Sequence, residues 1–179
     1  QEVFSMTKGE AYRLFLRYLG EATVNGSAKD DPDLRDLFDQ LFPQAVGSVG
    51  ASFPPRETQL LTECDWEAPD DLIEVTRALD DHFLPVAFLR LGERQYHFSA
   101  PCRVEYTRMP HAISATAPDS TEIDLGRASL LVPIQTAVNA ALSQEAYAYK
   151  VSYLTSSYNA LADALGEADG ITFRRVYVI

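Results

Sequence analysis

Hydrophobic residues fall into helical spacing almost from the start of the chain. Ala11, Tyr12, Phe15, Leu16 and Leu19 recur at the intervals of one helix face. Thr7 followed by Glu10 supplies a capping box before that face, and Gly20 supplies a stop after it. Leu14 and Tyr18 lie off the face, so this first helix is apolar on more than one side and needs two neighbours or a partner chain. A second helix is expected from Asp31-Pro32, an acidic cap followed by proline at the first helical position. Its stripe is Leu34, Leu37, Phe38 and Leu41, and Pro43 is expected to end it. Residues 44–58, rich in Gly, Ser and Pro, then read as a linker.

Beyond the linker the pattern becomes mixed. A short strand is expected at 59–62, followed by a helix over 69–81 with Leu72, Val75, Thr76 and Leu79 inward. Residues 84–91 read as a strand with Pro85 at its start, 92–94 form a hairpin loop, and the return strand runs through 95–106 with a break at Pro101. Residues 109–124 have no period and read as a long loop, a length at which loops are often functional. A helix with Pro133 in its first turn follows, carrying Ile134, Val138, Ala141 and Leu142 on one face. Tyr147, Tyr149, Val151 and Tyr153 then alternate and predict a strand. A helix capped by Ser156 or Ser157, with Leu161, Ala164 and Leu165 inside, and a closing strand at 171–179 complete a βαβ crossover. The expected fold class is α+β. A helical pair occupies 1–43 as an appendage, 44–58 is a linker, and 59–179 is an α+β domain whose mixed sheet contains an antiparallel hairpin and the C-terminal βαβ unit.

Length and composition agree with this: 179 residues at 46% hydrophobic and 23% charged are those of an ordinary soluble globule. No apolar run reaches the length of a membrane span. The net charge of −11 argues against binding a phosphate backbone. The charge is uneven. Glu63, Asp65, Glu67, Asp70, Asp71, Glu74, Asp80 and Asp81 face the single base Arg77, a net −7 within residues 63–81. Asp80 and Asp81 fall at the C-terminal end of the expected helix, where the helix dipole disfavours them.

The chemistry available is narrow. His82, His97, His111, Cys64 and Cys102 lack paired-ligand spacing, so no metal site is expected and both cysteines read as structural thiols. No phosphate loop, dinucleotide fingerprint, nucleophile elbow or zincin helix occurs, and no cofactor is expected. The chain starts at Gln1, so either a processed product or a trimmed chain is expected. Processing would point to an organelle, an export route or a matured particle, and trimming to none. That leaves localisation open, with an intracellular or organellar protein that has lost a presequence as one expectation.

The function expected is that of a non-catalytic subunit or adaptor acting by protein–protein interaction within a larger assembly. Its partner residues would be the eight acids together with Tyr147, Tyr149 and Tyr153, and the partner would be another subunit with a basic surface. A small-ligand domain with an aromatic-lined pocket and an enzyme using scattered Asp, Glu and His are the alternatives.

Overall fold

The structure is a computed structural model that describes residues 4–21 and 31–169. It is α+β, with helices at both ends of a strand region. The described residues form two compact units, one from residues up to Phe53 together with those from Pro110 onward, the other Pro54–Met109.

The first unit is helical. Helix α1 (Lys8–Leu19) begins at the expected capping box, with the Thr7 side chain and the Glu10 carboxylate each accepting from the other's backbone N–H. It ends at Gly20, whose φ of 78° is the left-handed geometry that glycine adopts at no steric cost. Helix α2 (Pro32–Ser52) starts at the Asp31 cap but does not stop at Pro43. The linker expected at 44–58 is therefore helical as far as Ser52. The apolar stripe explains why: Leu34, Phe38 and Phe42 are continued by Ala45, Val46 and Val49, all buried. Burial of that stripe outweighs the one backbone bond that proline cannot make.

Helix α3 (Leu131–Ser143) carries Pro133 in its first turn, as expected, and is buried on most sides. Helix α4 (Val151–Asp169) corrects another expectation. The strand predicted at 146–153 is a 3₁₀ turn over Glu145–Lys150 running into this helix. Leu154, Tyr158, Ala162 and Leu165 are its buried side, so Ser156 and Ser157 lie inside a helix rather than capping one. The strand expected at 171–179 lies outside the described residues. Residues of α1, α2, α3 and α4 share one core, in which Phe15, Phe38 and Phe42 are fully buried.

A buried lysine ties this core to the long loop before α3. Lys8 is 1% exposed. Its ammonium donates to the carbonyls of Ala115 (2.8 Å) and Ala117 (2.9 Å) and pairs with Asp39 at 2.9 Å. Arg35 continues the network from Asp39 to Asp119, and this bond holds the Asp119 carboxyl below the usual carboxylate range.

The second unit is all β. Strands β1 (Arg56–Leu61), β6 (Cys102–Arg108) and β3 (Leu72–Leu79) form one antiparallel sheet in the order β1-β6-β3. Strands β2 (Asp65–Glu67), β5 (Gln95–Phe98) and β4 (Phe88–Arg90) form another in the order β2-β5-β4. Both are antiparallel, where a mixed sheet was expected, and the β4–β5 hairpin and the break at Pro101 are as read. Trp66 centres the core between their inward faces, its ring 5.7 Å from Tyr96, 6.2 Å from Phe98 and 5.5 Å from Tyr106.

The helix predicted over 69–81 is strand β3, and its misreading has a physical cause. Register shifts between Leu72 and Glu74 and between Val75 and Arg77 each insert an extra residue. The inward positions Leu72, Val75 and Ala78 thus fall three apart, which imitates a helix in sequence.

Candidate functional site

Among the described residues, the β unit holds most of the exposed large apolar side chains: Leu60, Ile73, Phe83, Leu84, Phe88, Leu89, Leu91 and Met109. Two groups of them are positioned by the sheet register. The first is the turn joining β3 to β4. Asp80 Oδ1 accepts from the backbone N–H of His82 at 2.8 Å and of Leu84 at 2.9 Å, and Asp80 N donates to Leu84 O at 2.9 Å. This closed turn places Phe83 at φ 61°, a left-handed conformation that bulky side chains avoid. Phe83 and Leu84 stand 70% and 60% exposed at its tip.

The second group is the outward face of the β2-β5-β4 sheet. Leu89 lies opposite His97, and His97 opposite Asp65, so one cross-strand row runs from apolar to acidic. Leu91 donates its N–H to Gln95 O, and Gln95 lies opposite Glu67, giving a parallel row of the same order. The edge strand β4 therefore contributes leucines and the other edge, β2, contributes carboxylates.

The eight acids singled out in the sequence all lie in this unit, but in several settings. Asp65 bonds His97 Nδ1 at 2.6 Å. Glu67 lies 3.6 Å from Arg94, which also pairs with Asp70. Asp80 is occupied by its own turn, so the unfavourable helix dipole inferred for Asp80 and Asp81 does not exist. Arg77 pairs with Glu105 outside the window, at 2.6 Å. Glu63, Asp71, Glu74 and Asp81 have no ion pair among the described residues.

The three tyrosines belong to the helical unit. Tyr147 is half-buried, and its hydroxyl donates to Glu21 Oε1 at 3.1 Å. Burial, and then the Glu21 carboxylate, push its phenol from 10.0 up to about 12. Its role in the structure is to hold the 3₁₀ turn against the end of α1. Lys150 acts beside it, donating to Leu19 O at 2.6 Å. Tyr149 and Tyr153 are 77% and 66% exposed.

No cluster of three metal-ligating side chains occurs among the described residues. Cys102 is buried, and desolvation raises its thiol, the opposite of what a nucleophile needs. No helix among the described residues is long and apolar enough to cross a membrane. Sequence reasoning missed Phe83, Leu84, Leu89 and Leu91. The signal available for the first two was the cluster Asp80-Asp81-His82, which marks a turn, set before Phe-Leu-Pro. The sequence matches no protein-family model, and it matches no curated protein.

Proposed function

We propose that this protein is a non-catalytic interaction subunit, and that the β unit is its docking module. The observation carrying this reading is Phe83. An aromatic side chain is held in a left-handed backbone conformation, closed by Asp80, and presented to solvent beside Leu84. Such a conformation costs about 1–3 kcal/mol for a bulky residue. A free globule gains nothing from spending that on exposing a ring, whereas an aromatic anchor inserted in a partner's cleft is a common centre of binding energy. Leu89 and Leu91 add further exposed apolar surface on the outward face of the β2-β5-β4 sheet. The unpaired carboxylates Glu63, Asp71, Glu74 and Asp81 belong to the same unit and favour a partner whose cleft is rimmed by Lys or Arg.

The test compares the chain with Phe83→Ser and Leu89→Asp variants in an extract of its source cells. On sizing under native conditions the unsubstituted chain should elute well ahead of a 179-residue monomer, and each variant should elute later while retaining its circular dichroism. Elution of all three as monomers at the same volume would refute the reading.

A further inference from the structure

We infer that the exposed side of helix α1 carries a binding groove for a small anionic amphiphile, a ligand with a carboxylate or phosphate head on a short apolar tail. The groove has a volume of about 340 Å³ and is lined by Phe4, Ser5, Met6, Glu10, Arg13, Leu14 and Arg17. That size is at the small end of ligand pockets, which run from about 300 to 1,000 Å³. Phe4, Met6 and Leu14 supply apolar surface. Arg13 and Arg17, four residues apart, are neighbours on the helix and supply two adjacent guanidinium groups.

The charge arrangement selects the ligand. Glu10 is the groove's carboxylate, and it is committed to the capping box: its Oε2 accepts from Thr7 N at 2.8 Å. Asp119, the nearby carboxylate that feels Arg13, is already bonded to Arg35 Nη1 at 3.1 Å. Neither Arg13 nor Arg17 has an ion pair among the described residues. Two guanidinium groups side by side, neither ion-paired among the described residues, repel each other in a chain whose net charge is −11. A single anion between them removes that repulsion and accepts charge-assisted bonds from both.

The groove is also held in shape before any ligand arrives. Its N-terminal wall is fixed to the loop before α3 by Ile123 N donating to Met6 O at 2.8 Å, Lys8 N to Thr121 O at 2.8 Å and Gly9 N to Asp119 O at 3.0 Å. A wall already ordered spares the ligand the cost of ordering it.

Octanoate and octyl phosphate are the probes, with octanol and inorganic phosphate as half-ligands, titrated into the full chain by calorimetry. Methyl resonances of Met6 and Leu14 report the position. Both amphiphilic anions should bind and shift those methyls, and each half-ligand should bind at least about tenfold more weakly, since a charge-assisted hydrogen bond is worth roughly a decade of affinity. Arg13→Gln with Arg17→Gln should weaken octanoate by about tenfold or more, while Arg13→Lys with Arg17→Lys recovers part of it. The double Gln variant alters only exposed positions on a helix, and its circular dichroism confirms that it folds. Octanol binding as well as octanoate, or the double Gln variant binding unchanged, would overturn the proposal. So would binding to vesicles of anionic phospholipid with none to the soluble probes, which would make the groove a membrane contact.

Discussion

Replacing Lys8 by methionine removes the charge that joins three parts of the helical unit while nearly preserving side-chain volume. The ammonium donates hydrogen bonds to Ala115 O and Ala117 O and stands 2.9 Å from Asp39 Oδ1 as an ion pair. The ring of Phe42 lies 5.8 Å from it. Removing one member of a buried ion pair costs about 3–5 kcal/mol, because the remaining charge loses its partner. Asp39 is 27% exposed and keeps Arg35 Nε at 3.2 Å, so the loss falls at the lower end, about 3 kcal/mol. With a urea slope of about 2 kcal/mol per molar, the midpoint drops by about 1.5 M. Circular dichroism of the helices is the appropriate probe, because the single tryptophan, Trp66, lies in the β unit and reports on that unit instead. Hydrogen exchange supplies the local readout: the Ala117 amide, which donates to Ser114 O at 3.1 Å, should exchange faster once its own carbonyl loses Lys8. A midpoint within about 0.3 M of the unsubstituted chain, a change of well under 1 kcal/mol, would show that Lys8 is not the tie between α1, α2 and the loop.

Other positions give equally definite expectations. In α2, Gly47 has open space where a Cβ would go, so Gly47→Ala should stabilise the helical unit by about 0.5–1 kcal/mol in urea unfolding. At Gly50 a Cβ would collide with the Pro110 ring, so Gly50→Ala should lower the same midpoint instead. Asp80→Ala should destabilise the β unit by about 1 kcal/mol, measured by Trp66 fluorescence, because two backbone donors lose their acceptor, while Asp80→Asn, which keeps an acceptor oxygen, should cost less. Phe83→Gly should raise the same midpoint by about 1 kcal/mol through relief of the left-handed strain. Tyr147 has its phenol raised in the folded state from 10.0 to about 12, so the stability it contributes is full below pH 10 and is lost as pH rises through about 12. Tyr147→Phe should therefore flatten the fall in helical-unit stability between those two pH values, followed by thermal melts.

The α+β class, both ends of α1 and the start of α2 were legible because they rest on local chemistry. The capping box at Thr7 and Glu10, the Asp31-Pro32 start and the left-handed stop at Gly20 need no tertiary information. The errors came where tertiary packing overrides a local signal. Pro43 reads as a stop, yet Ala45, Val46 and Val49 prolong the buried stripe beyond it. Bulges in β3 give a strand the spacing of a helix. Tyr147, Tyr149 and Tyr153 alternate like a strand, but Leu154, Tyr158, Ala162 and Leu165 recruit the segment from Val151 onward into α4. The acids were visible by composition, whereas their partners Arg94 and His97 arrive only through strand pairing. The exposure of Leu89 was not legible, because an apolar residue in sequence gives no sign of which sheet face it occupies until register is known.

Photo-crosslinking from position 83 in the source cell tests the docking role of the β unit most directly. Phe83→p-benzoylphenylalanine places a reactive ring at the tip of the Asp80 turn, and the same substitution at Tyr149 places one on the exposed surface of the helical unit. Irradiation should give one discrete protein adduct from position 83, abolished by Leu84→Ser or Leu89→Asp in the same chain, and none of that mass from position 149. No adduct from position 83, or an adduct that both substitutions leave unchanged, would contradict the role assigned to the β unit.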